Sequence, residues 1–149
     1  MTKNKASILI VEDEANIREL LSDILQQNGY SVYTAGNGQE AIQKSKAEFF
    51  NLALLDIKLP DMEGTKLLMN LHESVPKMVK IMITGYPTME NAVESLNLGA
   101  DAYVIKTFKP EELLALIKSK LEKQSQAQKL TEEKVDKWVE TKVRKLKTT

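Results

Sequence analysis

Five short β-type runs, Ser7 to Val11, Ser31 to Ala35, Asn51 to Leu55, Val79 to Ile83 and Asp101 to Ile105, are each followed by a longer segment of helical periodicity. A strand whose successor lies one helix away cannot pair with it through a tight turn, so this repeat dictates crossover connections and a parallel sheet. Three runs, Ile8-Leu-Ile-Val11, Leu52-Ala-Leu-Leu55 and Ile81-Met-Ile83, show no polar alternation. That is the pattern of central strands covered by helices on both faces. The other two are more mixed and belong nearer the edges. The fold class read from the chain is α/β, a doubly wound five-stranded parallel sheet.

Between the runs, Ile17, Leu20, Leu21, Ile24 and Leu25 recur at helical spacing, as do Leu67, Leu68 and Leu71, then Met89, Ala92, Val93 and Leu96, then Leu113, Leu114, Ile117 and Leu121. Gly29 and Gly99 stand where helix-ending residues at positive φ are expected. The body therefore spans residues 1–122, and residues 123–149 form a tail. A chain of 149 residues can bury about 70% of the surface its unfolded form exposes, so it holds a core without disulfides. With no cysteine it can form none, nor a thiolate metal site.

The longest apolar run is five residues, Leu113 to Ile117, against the roughly 20 needed to cross a bilayer, and the four of Ile8 to Val11 are too few for a signal-peptide core. A cytoplasmic location is expected. Charge balances at 21 basic and 21 acidic residues, but the tail from residue 122 carries eight basic against five acidic. The bases are spread out and not interleaved with aromatics, so neither direct nucleic-acid binding nor a membrane surface is expected. Within the tail, Glu122 to Leu130 is polar, and Thr131 reads as the N-cap of a final helix to about Leu146. That helix, about 24 Å long, presents Val135, Trp138, Val139, Val143 and Leu146 on one side. It is too small for a DNA-binding domain. It either docks on the body or meets a partner or a second copy as a homodimer.

In open α/β sheets ligands bind at the carboxyl edge, so the residues that follow each run matter most. The first run ends in Glu12-Asp13-Glu14, the third in Asp56, the fourth in Thr84-Gly85 and the fifth in Lys106. Each alone has an ordinary reading as a cap, a turn or a solvated charge. Together, at four strand ends, they form a set. Clustered carboxylates resist joint ionisation unless a cation sits among them, and hard oxygen ligands on a half-solvated rim suit Mg²⁺. A carboxylate beside Mg²⁺ can attack a phosphoryl group whose oxygens are held by an ammonium and a hydroxyl. The set reads as an aspartyl-phosphate site.

On these residues, residues 6–122 resemble the receiver domains of two-component response regulators. The matching positions are Glu12 and Asp13, Asp56 in Leu-Leu-Asp-Ile-Lys-Leu-Pro-Asp-Met-Glu-Gly, Thr84 in Ile-Thr-Gly-Tyr, Tyr103 in Gly-Ala-Asp-Ala-Tyr, and Lys106. The resemblance implies a flavodoxin-like fold and Asp56 as phosphoacceptor for a sensor histidine kinase. It implies Mg²⁺ held by Glu12, Asp13, Asp56 and the backbone carbonyl of Lys58, with Thr84 and Lys106 on the phosphoryl group. It further implies a switch in which Thr84 moves toward the phosphate and Tyr103 follows. The output surface would be the 89–121 face, meeting a downstream protein, and the chain would be a stand-alone phosphoprotein switch, not a turnover enzyme.

One position departs from the family. Thr107 stands where a proline usually follows the lysine, often with a cis bond, and a cis bond to Thr107 would cost about 3 kcal/mol. This keeps a second reading open, a receiver-fold scaffold with impaired phosphorylation. A third is a dinucleotide-binding domain, because Gly36-Asn-Gly38-Gln-Glu-Ala41 matches the glycine fingerprint with Asp56 about 20 residues on. It follows the second run, not the first, and leaves Thr84 and Lys106 unexplained. His72 reads as a solvated surface histidine, and Met62 and Met69 as packing or loop residues.

Overall fold

The computed structural model describes residues 5–147, with side chains through residue 144. Its elements are β1 (Ser7–Val11), α1 (Ala15–Gln27), β2 (Ser31–Ala35), α2 (Gly38–Ala47), β3 (Leu52–Asp56), α3 (Gly64–Asn70), β4 (Val79–Thr84), α4 (Met89–Asn97), β5 (Ala102–Ile105) and α5 (Pro110–Lys147). The sheet order is β2-β1-β3-β4-β5, every pair parallel. The two mixed runs are its edges and the three apolar runs its centre.

Strand side chains alternate between faces, and here both faces are dry. Leu9, Val11, Ala53, Leu55 and Met82 pack with Ala41 and Ile42 of α2 and Leu67 and Leu68 of α3. Ile8, Ile10, Leu52, Leu54, Ile81 and Ile83 pack on the opposite side with Leu21 and Leu25 of α1 and Leu113 and Ile117 of α5. Two apolar layers explain why the central runs lack polar alternation. Gly29 and Gly99 adopt positive φ of 88° and 102° just past α1 and α4.

The tail differs from its expected form. Instead of a break before Thr131, α5 runs without interruption for 38 residues, about 57 Å. Residues 122–130 lack an apolar face but consist of Glu, Lys, Gln, Ala, Ser and Leu, with no Gly or Pro. Polarity removed a packing partner without removing helix propensity. Thr131 is not a cap, since its Oγ1 donates to the Ala127 carbonyl inside the helix. Within that polar stretch Gln124 is a tether. Its Nε2 donates to the carbonyls of Asn51 (2.9 Å) and Lys77 (2.8 Å), and its Oε1 accepts from Asn51 Nδ2. Asn51 Oδ1 in turn accepts from the Ser7 amide. Helix α5 is thereby fastened to the amino edge of the sheet one helical turn past Leu121.

Further along, Val135, Trp138, Val139 and Val143 stand exposed and not docked on the body. Leu146 lies outside the residues whose side chains are described. Among the described residues no helix is long and apolar enough to cross a membrane.

Candidate functional site

The carboxyl edge of the three central strands builds the site. Past β1 the Glu12 amide still donates to the Ala35 carbonyl at 3.0 Å, so the ladder carries Glu12 into the interior, where it is 2% exposed. Asp13, one residue on, is exposed. Asp56 is the last residue of β3, in register with Ile83, and is buried. Carboxylate oxygens of Glu12, Asp13 and Asp56 all lie within 4.8 Å of one another.

Lys106 enters from β5. Its Nζ is 2.9 Å from Asp56 Oδ2 and 3.0 Å from Glu12 Oε2, and its amide donates to the Thr84 carbonyl at 2.8 Å. The Lys106–Thr107 peptide bond is trans, so the ammonium reaches both carboxylates without the usual proline. Thr84 is fully buried at the end of β4, and its Oγ1 accepts from the Tyr86 amide at 2.9 Å. The Lys58 amide donates to Asp56 Oδ1 at 3.1 Å, while its ammonium lies 4.4 Å from the centroid of the Tyr86 ring. Tyr103 packs against the core, its hydroxyl shielded from solvent with no hydrogen-bond partner among the described residues.

Local sequence makes this packing feasible. At Gly64, where α3 begins, a Cβ would lie 2.3 Å from the Asp56 carbonyl oxygen and 2.9 Å from Ile57 Cα. Only glycine lets the helix start so close to the end of β3. Arg18, which sequence reasoning did not single out, supports the other side, its Nη1 donating to the carbonyls of Glu12 (2.8 Å) and Asp13 (3.2 Å). Its position in the first turn after the acidic run was the only available signal.

The electrostatics show a site short of positive charge. Burial is the main cause that raises the Glu12 carboxyl to about 7, and the charge of Asp56 adds to it. Hydrogen bonding and attraction to Lys106 offset only part. For Lys106, burial pulls its pKa down, but the bonds and charges of Asp56 and Glu12 prevail and hold the ammonium above its ordinary value. Three carboxylates meet here, and the Lys106 ammonium bridges only two of them, Glu12 and Asp56. A hard divalent cation such as Mg²⁺ fits this oxygen donor set, with Asp13 on the solvent side leaving room for retained waters.

The glycine fingerprint does not form a phosphate cradle. The α2 amides of Gly38 and Gln39 already donate to Asp61 Oδ1 (2.8 Å) and Oδ2 (2.9 Å), and Asn37 Oδ1 takes the Glu40 amide. A Cβ at Gly38 would lie 2.4 Å from the Met62 sulfur. The space a pyrophosphate would need is filled by the chain's own carboxylate and thioether, which overturns the dinucleotide reading. His72 is exposed, Met62 packs against the core and Met69 is exposed on α3.

Comparison with known proteins bears on the whole arrangement. The family profile of the response regulator receiver domain matches residues 8–118. A probable transcriptional regulator ycf27 from Cyanophora paradoxa is 39% identical over 121 residues, 81% of this chain and 50% of that protein. The transcriptional regulatory protein ResD of Bacillus subtilis is 35% identical over 123 residues, 83% of this chain and 51% of that protein. This chain thus spans about half the length of the curated relatives it matches. Among solved structures, a CheY-like receiver domain protein from Methanospirillum hungatei superposes with a TM-score of 0.80 at 50% identity, covering 83% of this chain and 99% of that one.

Proposed function

Because the chain belongs to the response regulator receiver family, we propose that it is a phosphorylation switch in which Asp56 accepts a phosphoryl group from a sensor histidine kinase. The observation that carries this reading is the Lys106 ammonium held between Asp56 and Glu12, with Asp13 completing the carboxylate set. An Asp56 carboxylate oxygen attacks phosphorus, the bond to the donor nitrogen breaks, and an acyl phosphate forms while the donor imidazole leaves. Glu12, Asp13, Asp56 and the Lys58 carbonyl would hold Mg²⁺, which supplies positive charge against the developing phosphoryl charge. Lys106 exchanges its carboxylate partners for phosphoryl oxygens. The Thr84 hydroxyl accepts from Tyr86 and keeps its own proton free to donate to the phosphoryl group. Reach of Lys106 through a trans bond favours this reading over a scaffold that has lost phosphorylation.

The transmitted change runs to the face formed by α4, β5 and the first turns of α5, where Met89, Val93, Leu96 and Ile105 are exposed. Thr84 and Lys106 are joined through their backbones, so a displaced Thr84 pulls on β5 and on Tyr103. A ligand shifts such an equilibrium only through contacts that differ between states, and the hydroxyl-to-phosphoryl contact is one. A downstream protein reads that face.

Incubation with acetyl phosphate and Mg²⁺ followed by intact-mass spectrometry tests the assignment. One phosphoryl mass is expected on the wild-type chain, none on Asp56→Asn, and none after chelation. Asp13→Asn is expected to weaken Mg²⁺ binding in calorimetric titration. Phosphorylation of Asp56→Asn at wild-type yield overturns the assignment, as does a wild-type chain that never gains the mass.

A further inference from the structure

Past Gln124, helix α5 carries three adjacent rows of side chains. Val135, Val139 and Val143 form a ridge at four-residue spacing and are 54%, 46% and 42% exposed. Consecutive helical residues lie about 100° apart, so the neighbours of each valine in sequence flank that ridge on opposite sides. One flank carries Lys134, Trp138 and Lys142, and the other carries Asp136, Glu140 and Arg144, with Arg144 Nη2 3.6 Å from Glu140 Oε2. The Lys142 ammonium lies 5.6 Å from the centroid of the Trp138 ring. Valine is a mediocre helix former that gains chiefly by burial. Three on one face, with a tryptophan beside them, are stabilising only when something covers them.

We propose that residues 132–144 are a self-association surface on which the valine ridges of two copies pack side by side with their helices running in the same direction. The charge pattern selects both the occupant and its direction. In a symmetric parallel pair, opposite flanks face each other, so the Lys134 and Lys142 row of each copy meets the Asp136, Glu140 and Arg144 row of the other, which is acidic on balance. An antiparallel pair sets lysine row against lysine row and Glu140 against Glu140, which is repulsive, and gains attraction only where Asp136 meets Arg144. A surface complementary to itself in this way suits an isologous two-fold contact. The four-residue spacing is not a heptad seam, and residues 123–129 offer only Ala127 as an apolar contact. The contact is therefore confined to a few turns, and a weak dimer is expected. It does not depend on the chemistry at Asp56.

Sedimentation velocity of the full chain across a concentration series tests this. The wild type is expected to dimerise, with Val139→Glu monomeric at the same concentrations. Lys134→Glu combined with Lys142→Glu, which makes both flanks acidic on balance, is expected to raise the dissociation constant at least tenfold at low salt, with part of the loss recovered at high salt. Because the chain has no cysteine, Val143→Cys introduces a single thiol that a parallel pair sets opposite its own copy. Mild oxidation of that variant is expected to give a disulfide-linked dimer. A wild type that stays monomeric at all concentrations overturns the proposal, as does a dimer indifferent to Val139→Glu. Cross-linking only between Val135→Cys and Val143→Cys in a mixture, with neither linking to itself, overturns the parallel arrangement.

Discussion

The Lys106 ammonium lies 2.9 Å from Asp56 Oδ2, across fifty residues of chain, and the same ammonium is 3.0 Å from Glu12 Oε2. Without it, two buried carboxylates would face each other uncompensated. Lys106→Met is expected to destabilise the metal-free protein by about 2 kcal/mol, less than for a fully sealed pair because the lysine side chain remains 20% exposed. Divalent metal takes over the same compensating role. Added Mg²⁺ is therefore expected to raise the melting temperature of the variant more than that of the wild type. Thermal denaturation with and without Mg²⁺ checks both, and equal metal responses would contradict the shared role.

Tyr103 buries a hydroxyl that finds no partner among the described residues. A buried hydroxyl without a hydrogen bond costs free energy that phenylalanine does not. Tyr103→Phe is expected to stabilise the unphosphorylated chain by about 1 kcal/mol in urea denaturation. A destabilised variant would mean that the hydroxyl has a partner in solution.

Asp61 caps α2 from outside the helix, accepting from the Gly38 and Gln39 amides, and these bonds lower its pKa below the ordinary 3.8. A carboxyl depressed on folding contributes stability that is complete above its unfolded pKa and is lost as pH falls through its folded one. Part of the acid destabilisation below about pH 4 therefore belongs to Asp61. Asp61→Asn is expected to be less stable than wild type at neutral pH, with the gap closing as the solution is acidified. Stability curves collected from neutral to acid pH would refute this by showing a constant gap.

Gln124 marks where the body ends in energetic terms. Gln124→Ala removes bonds to Asn51 and Lys77 at the amino edge of the sheet, with an expected loss of about 1–2 kcal/mol. Truncation after residue 128 keeps the tether and is expected to leave body stability within about 0.5 kcal/mol of wild type. A chain ending at residue 123 is expected to show the Gln124→Ala deficit. Equal stability of the two truncations would remove Gln124 from the body's support.

Strand identity and the carboxyl edge were legible in the sequence because both are local. Ile8 to Val11, Leu52 to Leu55 and Ile81 to Ile83 announce buried strands by lacking alternation, and the residue after each strand lands at the same edge of any parallel sheet. That is why Glu12, Asp56, Thr84 and Lys106 could be grouped before any contact was known. The tertiary structure alone decided which strands are neighbours, and so which of these groups touch. Lys106 reaches Asp56 and Glu12 because β5 pairs with β4, which pairs with β3, which pairs with β1, and no local pattern encodes that order. It also decided the state of Glu12, whose high pKa comes from burial and from Asp56 44 residues away. Asp61 and Met62, remote in sequence, fill the cradle of the Gly36 to Ala41 fingerprint, and Gln124 seats α5 on Asn51 and Lys77. In each case the deciding energy comes from side chains remote in sequence, whereas periodicity reports only how a segment divides its own faces between water and core.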